Sequence, residues 1–130
     1  MRNPNRPLSP HLTVYRMHQL TSLLSVVHRG TGVFITIAAL LLVGWLMAMA
    51  AGAEAYATFN AIAGHWFGQL VLLGVTFSVA YHLCNGIRHL VWDTGRGFEL
   101  SAVYRGGYIV VAVSILLTIL VWVVAYAGRF

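Results

Sequence analysis

Residues 30–52 read GTGVFITIAALLLVGWLMAMAAG, an unbroken run without a single charged side chain. A helix needs about 20 mostly apolar residues to cross ~30 Å of hydrocarbon, so this stretch alone is long enough to span a bilayer. Leu23, Leu24, Val26 and Val27 carry the apolar character back to about Thr21. Two further stretches meet the same criterion: 65–92, and 106–128 with its apolar heart at Tyr108–Ala127. No proline follows Pro10, so nothing inside a span removes a backbone donor and forces a kink. The expected fold is an all-α membrane protein with three transmembrane helices. It forms a single transmembrane domain over 1–130, made of a polar N-terminal segment at 1–20 and spans at about 21–52, 65–92 and 106–128.

The composition agrees. Of the 130 residues, 59% are hydrophobic and 8% charged, whereas a soluble domain draws roughly a quarter of its residues from the charged types. The missing polar surface implies lipid as a partner. Disorder is excluded by the same shortage of polar residues, and Cys84, the one cysteine, can hold neither a disulfide framework nor an iron-sulfur cluster within the chain. The net charge of +5 comes from eight arginines that form no run and no aromatic-interleaved patch, so nucleic acid is not expected as a partner. The first span sits behind 29 polar-leaning residues and is too long for a signal-peptide core, so it is expected to remain in the mature protein.

Most arginines flank apolar stretches. Arg2, Arg6, Arg16 and Arg29 precede the first span, and Arg88, Arg96 and Arg105 cluster about the second connection, whereas the connection from Ala53 to Gly64 carries only Glu54. The positive-inside rule puts the N-terminus and second connection inside, and the first connection and C-terminus outside. Trp45, Trp66, Trp92 and Trp122 lie toward span ends, where indole rings prefer to sit.

Ionisable groups at membrane depth are costly unless paired or facing a cavity, which makes each a functional candidate. Ser25, His28 and Arg29 share one helical face at the inner end of span one. Tyr81, His82, Asn85, Arg88, His89 and Asp93 occupy the inner half of span two. His82 and His89, seven apart, form one stripe at two depths, with His82 about 16 Å from the inner boundary. Gly86 interrupts that stripe and leaves room for a flat ligand. A neutral imidazole at that depth suits axial ligation of haem iron, while His28, Arg29 and His89 suit the propionates nearer the surface. A second mid-membrane histidine is absent, so a six-coordinate haem would borrow its other ligand from a partner chain. The competing reading is a histidine that packs against a backbone carbonyl without cofactor. Likewise the competing reading of Ser25 is a bond to its own helix, and that of Arg88 a snorkelling cation or the salt-bridge partner of Asp93. His65, Cys84, Gly32, Gly44, Gly68 and Gly74 read as structural.

The stretches Arg6-Pro7-Leu8-Ser9-Pro10-His11-Leu12, Ser25-Val26-Val27-His28-Arg29-Gly30-Thr31-Gly32 and His82-Leu83-Cys84-Asn85-Gly86-Ile87-Arg88-His89-Leu90-Val91-Trp92-Asp93 resemble the cytochrome b subunits of succinate dehydrogenase, the large membrane anchors of respiratory complex II. The resemblance covers nearly the whole chain. It implies that His82 is an axial ligand of haem b, and therefore of its iron. It implies that a second small membrane subunit supplies the other axial histidine, so that the haem is shared. By the same resemblance His28, Arg29 and His89 contact the haem propionates, and Ser25, Arg29 and Asp93 line a ubiquinone site. The partners implied are that second anchor, an iron-sulfur subunit and, through the complex, a flavoprotein subunit.

Quinone reduction consumes two electrons and two protons, so its pocket must bond carbonyl oxygens and reach water. The Ser25 hydroxyl can donate to a quinone oxygen, and Arg29 can stabilise negative charge developing there; Asp93 is expected to orient Arg29 or assist proton entry. The chain carries no nucleotide fingerprint such as G-x-G-x-x-G, so succinate oxidation is assigned to other subunits and none of the catalysis to this chain alone. The polar tail, with Tyr15, His18 and Gln19, is expected to lie against the iron-sulfur subunit. Two alternatives remain: a fumarate reductase anchor working in the opposite direction, and a haem-free structural anchor. A bacterial inner membrane is expected rather than a mitochondrial one, because Met1 precedes only a short tail.

Overall fold

The computed structural model describes Arg16 and residues 18–128. The Arg6–Leu12 motif and Tyr15 lie outside the described residues. Among the described residues all regular structure is helical: α1 (Leu20–Ala51), α2 (Ala53–Gly64), α3 (Trp66–Asp93) and α4 (Leu100–Ala127). Helices α1, α3 and α4 are apolar and long enough to cross a membrane. At 32, 28 and 28 residues they measure about 42–48 Å, so each projects beyond the hydrocarbon layer.

Two boundaries differ from the hydropathy reading. The first connection is itself a helix, α2, separated from α1 only by Gly52 at φ 115°, a conformation that glycine adopts without a Cβ clash. Its small apolar residues are too few to announce a span, and hydropathy does not report a 12-residue helix. Helix α4 begins at Leu100, earlier than about 106, because the polar turn holding Ser101 and Arg105 is helical although it is not hydrophobic. Between α3 and α4, Gly95 and Gly97 take φ 79° and 78°, which lets the chain reverse within a few residues.

Helices α1 and α3 run antiparallel, as do α3 and α4. Tyr81 in α3 donates to the Leu24 carbonyl of α1 at 2.8 Å, while Trp122 in α4 donates to Thr76 of α3 at 3.3 Å and Tyr126 to Gln69 at 3.0 Å. The tight contacts are made by small or hydroxylated side chains. Ser78, Ser114 and Thr118 are buried, and Ser114 and Thr118 bond carbonyls of their own helix at 2.6 and 2.7 Å. Such residues let backbones approach where lipid offers no hydrophobic drive for association. A Cβ at Gly107 would stand 2.8 Å from a Leu24 methyl and 3.0 Å from a Leu20 methyl, so these leucine ends pack directly on the α4 backbone there. Leu24, Tyr81 and Val110 form the shared core. Most other large apolar side chains face outward, toward lipid or a partner.

Candidate functional site

The antiparallel arrangement brings the start of α1, the end of α3 and the start of α4 to one end of the bundle. That end gathers Ser25, His28 and Arg29 from α1, His89, Arg88 and Asp93 from α3, and Arg105 from α4. His82 lies about 16 Å inward from Asp93 along α3.

Three imidazoles converge there. The His28 and His82 rings stack at 4.0 Å between centroids with planes 12° apart, and His28 meets His89 at 5.2 Å. His82 Nδ1 lies 3.2 Å from the His28 carbonyl and 3.3 Å from the Thr31 hydroxyl, which itself donates to the same carbonyl at 2.9 Å. A Cβ on Gly32 would come within 3.1 Å of His82 Cε1, so the ring edge rests directly on the α1 backbone. His82 Nε2 makes no hydrogen bond with any described residue and is not among the buried unpartnered atoms, which include His28 Nδ1. It therefore reaches the surface of the chain.

This donor set fits a haem iron. One ring nitrogen is engaged by the protein and the other is left open to a metal, which is the usual arrangement of a metal-bound histidine. A Cβ at Gly86 would find nothing within 4 Å, so the stripe is open at that point, as a flat macrocycle requires. The buried, unpartnered Nδ1 of His28 has a polar atom to offer at the same place.

The other expected residues are placed less tightly. Ser25 and Arg29 are exposed, and Arg29 Nε donates to the Ser25 backbone carbonyl at 3.3 Å, while the Ser25 hydroxyl has no partner among the described residues. Asp93 shares this end of the bundle but its side chain bonds neither Arg29 nor Arg88. Arg88 neither snorkels freely nor bridges to Asp93. It donates to the Val103 carbonyl at 3.0 Å and to Asn85 at 3.3 Å, with its guanidinium 4.1 Å from the Trp92 ring centroid. The loss of water inside the bundle favours these partners, because α4 offers a carbonyl within reach. His65 caps α3 by accepting from Phe67 N–H at 3.4 Å, in line with a structural reading.

Sequence reading missed Thr31, whereas Gly32, read as structural, packs against the His82 side chain of α3. Their signal was the spacing from His28, visible only once α3 is known to cross α1 there. A hollow of about 640 Å³ at the opposite end, walled by residues such as Trp45, Phe59, Asn60 and Gln69, contains no ionisable side chain and offers no comparable chemistry.

Three apolar spans with a histidine-lined face at one end define a multi-pass membrane anchor. The chain belongs to the succinate dehydrogenase/fumarate reductase transmembrane subunit family, whose pattern matches residues 2–121. Relatives carry the name succinate dehydrogenase cytochrome b556 subunit. One from Rickettsia prowazekii is 44% identical and the match covers 91% of each chain, and one from Paracoccus denitrificans is 34% identical over 94% of this chain and 93% of its own. A cytochrome b560 subunit of succinate dehydrogenase from Reclinomonas americana is 36% identical over 94% of this chain and 88% of its own. Family membership makes this chain one subunit of an enzyme complex, not catalytic alone.

Proposed function

We propose that this chain is the haem b-binding membrane anchor of a succinate:ubiquinone oxidoreductase, holding the iron-sulfur and flavoprotein subunits at the membrane and helping to form the quinone site. The observation that carries this reading is His82, engaged through Nδ1 by α1 while Nε2 reaches the chain surface. The similarity to cytochrome b subunits of succinate dehydrogenases supports it independently.

His82 is the proposed axial ligand of the haem iron, and His28, Arg29 and His89 are the proposed partners of the propionates. The haem would be shared with a second small membrane subunit that supplies another histidine, a reading supported by the position of Nε2 at the surface of this chain. When bound, haem b supplies a one-electron carrier at membrane depth. Ser25 donates its hydroxyl proton as a hydrogen bond to a quinone oxygen, and Arg29 stabilises the negative charge that grows there. Asp93, at the same helix end and free of an ion pair, is assigned to proton entry from water. Two electrons and two protons convert the quinone to quinol, the electrons arriving from the iron-sulfur subunit. The Arg-rich end is the inner side, with the N-terminus inside and the C-terminus outside, in a bacterial cytoplasmic membrane.

The test is an absorbance spectrum of the purified complex. A reduced b-type haem band is expected; its absence turns the chain into a structural anchor. Potentiometric titration of the haem together with quinone analysis separates succinate oxidation from fumarate reduction, the latter requiring a low-potential quinol.

A further inference from the structure

We propose that Thr31 is a positioning residue for His82, fixing with the His28 carbonyl the tautomer that carries its proton on Nδ1 and presents Nε2 unprotonated. The inference deepens the haem reading above and rests on it for its functional meaning.

The argument is one of counting protons. Three polar atoms meet here: the His28 carbonyl oxygen, the Thr31 hydroxyl and His82 Nδ1. Their separations are 2.9 Å (hydroxyl to carbonyl), 3.2 Å (Nδ1 to carbonyl) and 3.3 Å (Nδ1 to hydroxyl). A carbonyl oxygen only accepts, and a threonine hydroxyl has one proton to give. If Nδ1 carries hydrogen, it donates toward the carbonyl and the hydroxyl oxygen, while Thr31 donates along the shortest of the three contacts. Every contact is then satisfied. If Nδ1 lacks hydrogen, its lone pair faces the carbonyl lone pair at 3.2 Å, and Thr31 can relieve that only by abandoning its own 2.9 Å bond. Thr31 is buried, so water does not readily repair the mismatch, and an unsatisfied buried polar group costs about 1–3 kcal/mol.

The ring is held in orientation as well as in protonation. Gly32 leaves space for the Cε1 edge, where a Cβ would approach to 3.1 Å, and the His28 ring covers one face. Neither contact selects a tautomer. That selection comes from the carbonyl, which only accepts, and the hydroxyl reinforces it by spending its one proton on that carbonyl and offering Nδ1 a lone pair; of these only the hydroxyl can be altered by a side-chain substitution.

The experiment uses the complete purified complex with Thr31→Val, which keeps the β-branched shape and removes the hydroxyl, and Thr31→Ser, which keeps the hydroxyl. The readout is the rate of haem transfer to an excess of haem-free globin. Outer-shell partners of metal ligands contribute about 10–100-fold in affinity, so Thr31→Val is expected to release haem about tenfold faster or more, and Thr31→Ser to stay close to the unsubstituted complex. A Thr31→Val complex with unchanged haem release and an unchanged reduced spectrum overturns the proposal. A second measurement needs no substitution and covers the case in which Thr31→Val does not assemble. Nitrogen-15 spectra of histidine-labelled complex from which the haem has been extracted are expected to show the His82 δ-nitrogen protonated and the ε-nitrogen bare, and an unprotonated δ-nitrogen refutes the assignment. Absence of haem from the unsubstituted complex would instead defeat the functional reading, and the same spectra would still report the tautomer.

Discussion

The imidazole of His28 lies parallel to that of His82, with centroids 4.0 Å apart and planes 12° apart. One ring comes from the first turns of α1 and the other from the middle of α3, so a side chain near the bundle end is packed onto one at membrane depth. His89, a further two turns along α3, adds a tilted third ring at 5.2 Å from His28.

Replacing His82 with alanine removes the atom assigned to the iron. The reduced-haem band is expected to vanish or to convert to that of a weaker ligation state. An unaltered spectrum in the variant would move the axial role elsewhere.

Ser25→Ala and Arg29→Ala each remove one polar group from the proposed quinone site. Loss of a single donor to a developing oxyanion costs about 10²–10³ in rate; the exposure of both residues places the expected loss of quinone reduction at the lower end. Succinate oxidation with an artificial dye acceptor should survive. If both activities fall together, these residues serve assembly.

Gly86 and Gly107 form a contrasting pair. Gly107→Ala drives a methyl against Leu24 and Leu20, and overpacking of this kind costs about 1–3 kcal/mol, read as easier thermal dissociation of the complex. Gly86→Leu meets nothing within 4 Å of its Cβ in this chain, so the chain should fold while haem occupancy falls. Full haem occupancy in Gly86→Leu would show that no macrocycle lies over that position.

Tyr81→Phe deletes the 2.8 Å bond to the Leu24 carbonyl and nothing else of the buried ring. A typical hydrogen bond contributes about 0.5–1.5 kcal/mol. The variant should lose stability by about that amount in thermal melts while its haem spectrum is retained. A large spectral change would mean that Tyr81 sets the position of His82 as well as that of α1.

Much of this architecture was legible before any coordinates. The three spans follow from length and apolarity, because lipid leaves the backbone no alternative to helix. His82 and His89 were legible as one stripe and His28 as a member of a second cluster, since a costly residue at membrane depth advertises itself; the stacking of His28 on His82 was not. Helix α2 was not, because twelve residues of alanine-rich sequence carry no decisive period. The Thr31 hydroxyl was also invisible: threonine is common in such helices, and its partner lies 51 positions away. Arg88 was misread for the same reason, because the nearest opposite charge in sequence, Asp93, lost to a neutral carbonyl that only the α3–α4 turn brings close.

Residues 25–31 of α1 carry both the polar groups assigned to the quinone and the groups that grip His82. Their separation is thus set by the rise of one continuous helix, about 9 Å over six residues, and owes nothing to how tightly separate polypeptides close around them. Thermal breathing between subunits can loosen the assembly while leaving the spacing of these α1 groups almost constant.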